Sequence, residues 1–234
     1  MLGRRVIGVA GDGWINLVAD ASGDLSDRRR SYERGRLDEA DVAEGWLPLF
    51  RAWYAEAERE RGVIEANAMQ VATVDAAGHP TVRTVLAKQV DEDGVVFYTN
   101  YDSAKAHDLA VAPMAALVFA WVPLERQVRI SGSVERVNAE TSAAYFGTRP
   151  RDSQIAAWAS HQSAELRDRA ELVAAVAAVE RKFEGRGVPL PPDWGGYRVI
   201  PEIVEFWAGR PNRLHDRLEG RRDVAGWRWR RLAP

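Results

Sequence analysis

"AMQVATVDAAGHPTVRTVLAKQVDEDGVVFYTN", residues 68–100, decides the architecture. Within it, residues 68–75, 81–90 and 94–100 are short runs rich in β-branched and aromatic residues, with apolar side chains at alternate positions. Between them lie "AAGHP" and "DEDG", both carrying turn chemistry. "AALVFAWV" (115–122) and "RQVRISGSVERV" (126–137) continue the pattern. A meander of antiparallel strands joined by tight turns predicts a sheet that closes into a barrel.

Outward from this stretch the period changes. In "DVAEGWLPLFRAWYAEAERER" (41–61), Trp46, Leu49, Phe50, Trp53 and Tyr54 recur at three- and four-residue spacing, which predicts one amphipathic helix. Residues 138–185 predict two or three helices, broken around Arg149-Pro150 and near Gln162-Ser163. The last of them carries Leu166, Ala170, Val173, Ala177 and Glu180, and it closes at Gly185 and Gly187. "VPLPPDWGGY" (188–197) reads as loop because of its prolines and glycines, while 197–209 and 226–234 return to strands. The expected fold class is therefore α+β, a single barrel-based domain over residues 42–234. Residues 1–41 are expected to form a flexible leader and arm, since 21–41 are polar and densely charged.

The 234 residues are 46% apolar and 28% charged with a net charge of −2, so no global field favours nucleic acid or an anionic membrane. No run approaches the roughly 18 apolar residues of a membrane span. The N-terminal stretch loosely resembles a signal peptide, but Gly11, Asp12 and Gly13 interrupt it. There is no cysteine, which excludes disulfides, thiolate nucleophiles and cysteine-held metals; this suits a reducing compartment, and the expected location is cytoplasmic. The four histidines, at 79, 107, 161 and 215, show no metal-ligand spacing, and no metal site is expected. The hard chemistry is thus expected to belong to an organic cofactor.

Several clusters offer anion recognition. Arg83 and Lys88 lie on opposite faces of a regular strand unless a bulge re-aims one, and two solvated cations are the plain alternative. In "SAKAHDL", Ser103 reads as an N-cap with Lys105 in the first turn, either a phosphate cradle or an ordinary cap. Tyr145, Arg149 and Ser153 are four residues apart across a helix break and supply the donor types that bind a phosphate monoester; a polar interhelical turn is the alternative. In "RLHDR", strand alternation puts Arg213, His215 and Arg217 on one face and Asp216 opposite. The anion compensating the three is then expected to be bound rather than encoded, with an exposed edge strand as the alternative.

Taken together and in order, "RTVLAK", "VVFYTN", "SAKAHDL", "LERQVRISG", "YFGTRPRDSQIAAWAS", "VPLPPDWGGYRV", "EFWAG", "RLHDR" and "RLAP" resemble the pyridoxamine 5′-phosphate oxidase family over roughly residues 42–234. The resemblance implies a split β-barrel that binds FMN at the interface of a homodimer. It implies cofactor contacts at Arg83, Thr84, Val85, Leu86, Ala87, Lys88, Tyr98, Thr99, Lys105, Gln127, Gln162, Ser163, Trp207 and Arg217. It assigns the substrate phosphate to Lys88, Tyr145, Arg149 and Ser153, the substrate ring to Arg213 and His215 as catalytic residues, and a lid to Arg29 and Tyr32. Ala104 stands where many relatives carry arginine, which puts one FMN-phosphate contact in doubt, and Ser31 replaces an acidic residue common in the lid. The implied reaction oxidises pyridoxamine or pyridoxine 5′-phosphate to pyridoxal 5′-phosphate with dioxygen as oxidant. The expected rivals are a phenazine-biosynthesis oxidase with a similar C-terminus and a non-catalytic flavin or pyridoxal-phosphate carrier.

Overall fold

A computed structural model describes residues 31–234. Ten strands form one sheet in which every pairing is antiparallel: β1 (Ala68–Val74), β2 (Pro80–Leu86), β3 (Gln89–Asp91), β4 (Gly94–Asn100), β5 (Met114–Trp121), β6 (Arg126–Arg136), β7 (Trp194–Val199), β8 (Ile203–Ala208), β9 (Asp216–Asp223) and β10 (Gly226–Arg231). The helices are α1 (Trp46–Arg59), α2 (Ala104–Val111), α3 (Ala139–Thr148), α4 (Arg151–Ala159) and α5 (Arg169–Lys182). Among the described residues no helix is long and apolar enough to cross a membrane.

The branching of the sheet is set by β6. Its first half pairs with β8 (Arg126↔Ala208 through Ser131↔Ile203) and its end pairs with β7 (Val134↔Val199 through Arg136↔Tyr197). One branch continues through β9 to β10, the other through β4 to β3, while β5, β1 and β2 extend the opposite side of β6. The fork lies at Gly132, where a Cβ would collide with the carbonyl oxygen of Ile200. There Ile200 N–H donates to Ser133 O at 2.8 Å and Glu202 N–H to Ser131 O at 2.9 Å, so the chain changes branch without losing its ladder. The curled result is a half-barrel: the alternation predicted a barrel, and the split form is the one the family resemblance implied.

Helix α1 lays its apolar stripe against this sheet. Phe50 meets Phe119 edge-on at 5.0 Å and Trp53 meets Phe206 at 5.2 Å. Trp46, Leu47, Phe50, Trp53 and Ala57 are buried, whereas Leu49 and Tyr54 of the expected stripe are only partly covered. Each fully buried aromatic of this kind contributes about 2–3 kcal/mol of transfer free energy.

Three local expectations are corrected. Trp194-Gly195-Gly196 is not loop but the start of β7. Its glycines serve close approach rather than turning, since a Cβ on Gly195 would strike Tyr101 and one on Gly196 would strike Tyr98 and Val137. Leu166 lies outside α5, which starts at Arg169 behind an Asp168 cap that accepts from Glu171 N–H at 2.9 Å. Residues 213–217 are not one strand. β8 and β9 first pair at Ala208↔Asp216, and the intervening hairpin loop holds Asn212 (φ 56°) and Arg213 (φ 61°) in left-handed conformations.

The segment 32–41, expected to belong to the polar arm, is pinned where it is described. Glu125 accepts from the amides of Glu33 (2.8 Å) and Arg34 (2.9 Å), Leu37 is buried, and Arg231 pairs with Glu39 at 2.8 Å. Its anchors are its own Leu37 in the core and two charged groups far away in the sequence, Glu125 and Arg231, which local composition does not reveal. Arg29 lies outside the described residues.

Candidate active site

A cavity of about 890 Å³ opens where β2, β4, α2, α3 and α4 converge. Arg83, Thr84, Val85, Leu86, Lys88, Tyr98, Thr99, Lys105, Tyr145, Arg149, Ser153, Gln162 and Ser163 all line it. The strand problem at Arg83 and Lys88 is resolved because β2 stops at Leu86. Ala87 and Lys88 form the step into β3, which frees Lys88 from the alternation. Ala87 itself is buried on the far side, where it exchanges hydrogen bonds with Asn67 (2.9 and 3.0 Å) and lines a smaller cavity.

Among the described residues no carboxylate lines the large cavity, yet four cations do. Lys105 is 6% exposed, and its Nζ donates to Thr99 Oγ1 (2.9 Å), Ser103 Oγ (3.0 Å) and Gln162 Oε1 (3.0 Å). Burial, and then the nearby Arg83 guanidinium, hold its pKa down from 10.5 to about 8, against the opposing pull of Asp108. Arg83 is tied back to Thr73 Oγ1 (2.6 Å) and Thr81 Oγ1 (2.5 Å), hydroxyls that in turn donate to buried Asp108 at 2.6 and 3.1 Å. Ser103 occupies the N-cap of α2, but its hydroxyl donates to Asn100 O at 2.7 Å, and the Ala104 amide is capped by Ser163 Oγ at 3.2 Å instead. Ser163 adopts φ 73° there, a left-handed conformation costly for a non-glycine residue.

Arg149 supplies the sharpest feature. Its Nη1 is the one buried side-chain nitrogen or oxygen without a hydrogen-bond partner among the described residues. Burial pulls its pKa below the ordinary guanidinium value. An uncompensated, desolvated donor in a carboxylate-free cavity suits an anionic oxygen from outside the chain. The donor set thus fits a phosphate-bearing cofactor and a phosphate-bearing substrate.

The remaining expected residues sit elsewhere on the chain. Gln127 and Trp207 are cross-strand partners on β6 and β8, and Trp207 is opposite Arg217 on β9. His215 lies 4.6 Å from Trp207 between ring centroids, and Tyr32 packs edge-on against both. The Arg210 amide donates to His215 Nδ1 at 3.1 Å, so a neutral imidazole carries its proton on Nε2. None of Tyr32, Gln127, Trp207, Arg213, His215 or Arg217 lines the large cavity.

The expectation that only a bound anion compensates "RLHDR" is corrected. Arg217 Nε is 2.9 Å from the buried carboxylate of Glu205, which also takes Arg129 at 2.5 Å. Asp216 pairs with Arg231 at 2.8 Å and Arg210 at 3.5 Å. Of the three cations, only Arg217 has a carboxylate partner among the described residues; Arg213 and His215 have none. Glu205 lies twelve residues before Arg217, beyond the window in which the local charge pattern is read. Trp194, a further lining residue, was hidden inside the supposed loop.

Fold and cavity define a split-barrel protein equipped to hold phosphate esters. Residues 55–183 match the family model for pyridoxamine 5′-phosphate oxidase, and residues 194–234 match the model for the pyridoxine 5′-phosphate oxidase C-terminal dimerisation region. The chain is 52% identical over 213 residues to a pyridoxine/pyridoxamine 5′-phosphate oxidase of Burkholderia cenocepacia, an alignment covering 90% of this chain and 99% of that protein. The corresponding protein of Pseudomonas paraeruginosa is 50% identical over 211 residues, covering 90% and 98%. Among solved structures, PhzG of Burkholderia lata in complex with tetrahydrophenazine-1-carboxylic acid superposes with a TM-score of 0.78 at 31% identity, covering 85% of this chain and 98% of that one. A pyridoxamine 5′-phosphate oxidase-related, FMN-binding protein of Nostoc punctiforme shares the fold at a TM-score of 0.63 and 18% identity, covering 79% and 97%. The chain belongs to the pyridoxine/pyridoxamine 5′-phosphate oxidase family. It is an oxidase, and the family points to a flavin as its cofactor.

Proposed function

We propose that the protein oxidises pyridoxine 5′-phosphate or pyridoxamine 5′-phosphate to pyridoxal 5′-phosphate, with FMN as cofactor and dioxygen as final oxidant. The alcohol and dioxygen give the aldehyde and hydrogen peroxide; the amine additionally consumes water and releases ammonia. The observation that carries this reading is the unpartnered Arg149 Nη1 in a cavity that Lys88, Tyr145 and Ser153 also line. Bound FMN would supply a two-electron acceptor that dioxygen reoxidises.

The chain's own residues bind and orient. Lys88, Tyr145, Arg149 and Ser153 take the substrate phosphate. Arg83, Lys105, Thr99, Gln162 and Ser163 form the polar wall for the cofactor, Lys88 serves both ligands, and Thr84, Val85, Leu86 and Tyr98 shape the remainder. Arg213 orients the substrate ring, and His215 donates to it from Nε2, a proton placement supported by the Arg210 amide at Nδ1. Both ligands are held in register by these fixed donors, which is how most of the acceleration is gained.

We further propose a homodimer, in which Gln127, Trp207, Arg213, His215 and Arg217 of one protomer complete the cavity of its partner; the match to a dimerisation region over 194–234 supports this. Tyr32 and Arg29 then serve as a lid. The oxidase domain is taken as 42–234, with 1–41 as a leader and arm whose segment 32–41 is pinned to it, and the cysteine-free composition favours the cytoplasm. The phenazine-type alternative is disfavoured by 31% identity to PhzG against about 50% to the pyridoxine/pyridoxamine 5′-phosphate oxidases.

The test is anaerobic mixing of the FMN-loaded protein with pyridoxamine 5′-phosphate while the oxidised flavin band is followed. Bleaching, then peroxide formation when oxygen is admitted, is expected. An unbleached band in FMN-saturated protein overturns the proposal, and bleaching by tetrahydrophenazine-1-carboxylic acid alone would transfer it to the phenazine reading.

A further inference from the structure

Arg149 is held in an unusual way for a buried cation. Its side chain makes no ion pair and no hydrogen bond among the described residues. What fixes it is aromatic: the guanidinium lies 4.7 Å from the ring centroid of Trp194 and 5.6 Å from that of Phe146. Trp194 is only 7% exposed and is itself wedged. Phe146 packs edge-on against it at 5.2 Å, and Tyr98 lies near-parallel to it at 5.4 Å and 9°. Its backbone is set in β7 opposite Asn100, and Gly196 leaves room for the Tyr98 ring that stacks on it.

The chemistry of the contact explains why a ring is used. A carboxylate would neutralise the guanidinium and occupy its in-plane N–H groups. A ring stacks on the face of the guanidinium, stabilises the charge through its quadrupole, and leaves the N–H edge free. We infer that Trp194 is a positioning residue that holds Arg149 with its donors unspent, and thereby sets the preference for a phosphorylated over an unphosphorylated substrate. This rests on the proposed role of Arg149 as a phosphate ligand; Trp194 acts through Arg149 and not on the reacting atoms.

The experiment measures equilibrium binding of two probes, pyridoxal 5′-phosphate and pyridoxal, to the FMN-loaded full chain by calorimetry. The proteins are wild type, Trp194→Leu, Trp194→Phe, Arg149→Gln and the two double variants. Trp194→Leu is expected to weaken pyridoxal 5′-phosphate about tenfold and Trp194→Phe about threefold, as loss of a desolvated cation–π contact requires. Pyridoxal binding should stay within about twofold, and in the Arg149→Gln background neither Trp194 change should cost anything more. A merely structural tryptophan would move both probes alike and would cost the same with or without Arg149; either result overturns the inference. Should Trp194→Leu fail to fold, the graded loss in Trp194→Phe and its disappearance beside Arg149→Gln carry the same test. Wild-type protein that shows no preference for the phosphorylated probe would sink the phosphate-substrate reading along with this role. A wild-type preference without coupling between Trp194 and Arg149 would sink only the role of Trp194.

Discussion

Replacing Lys105 with methionine should make the protein more stable without its cofactor and worse at binding it. Methionine keeps the volume and length of the side chain and removes the charge. Burial beside Arg83 brings the Lys105 pKa from 10.5 to about 8. At roughly 1.4 kcal/mol per pH unit, the empty site therefore opposes the ammonium by about 3 kcal/mol. Against that relief stands the loss of hydrogen bonds to Thr99, Ser103 and Gln162. All three acceptors keep another partner, since Ser103 Oγ donates to Asn100 O and Thr99 Oγ1 donates to Gln162 Oε1. With about 1 kcal/mol charged for them, Lys105→Met should stabilise the apoprotein by roughly 1–2 kcal/mol in urea melts at pH 7. FMN binding should weaken about 10- to 100-fold, the worth of a charge-assisted contact, while riboflavin, which lacks the phosphate, should bind as before. The proton balance gives an independent check. An anion that restores the ordinary lysine pKa makes binding take up protons between about pH 8 and 10.5, and calorimetry in buffers of different ionisation enthalpy reads that uptake directly. A destabilised Lys105→Met apoprotein that keeps its FMN affinity would refute the reasoning.

Other consequences follow from single contacts. Glu205→Gln leaves Arg129 and Arg217 without their shared carboxylate; since both arginines are partly solvated, a loss of about 2 kcal/mol is expected in the urea midpoint. Gly132→Ala forces a Cβ into the Ile200 carbonyl at the fork of the sheet, and a fall in melting temperature of at least about 8 °C, or loss of soluble protein, should be measured. Arg213→Ala should cut turnover far more than FMN affinity, because Arg213 lies on the β8–β9 loop apart from the phosphate wall; equal losses in steady-state and titration assays would refute its role.

How much of this was legible in the chain depends on how local each cause is. Strands β1, β5 and β6 were readable because their side chains alternate in burial, a pattern each strand writes for itself. Strands β2 and β4 do not alternate and were readable from β-branched and aromatic runs between turn signals. The Tyr145, Arg149 and Ser153 cluster was readable because the Arg149-Pro150 break and a four-residue spacing are local signals. The start of β7 was not, because Gly195 and Gly196 answer to rings of Tyr101 and Tyr98 nearly a hundred residues away. Nor were the partners of Arg217 and Asp216, which sit on β8 and at the end of β10. The hairpin loop misled for a related reason: two left-handed non-glycine residues in succession have no compositional signature.

The cavity with its phosphate donors, and the loop with Arg213 and His215, occupy different ends of one chain. In the proposed dimer this separation has a genetic meaning. A chain lacking Arg149 and a chain lacking Arg213 would each be inactive alone. In a mixed dimer, however, one site collects both lesions and the other collects none. Random mixing of equal amounts should therefore restore about a quarter of the sites. Two null alleles would rescue one another, and neither would poison a wild-type partner completely.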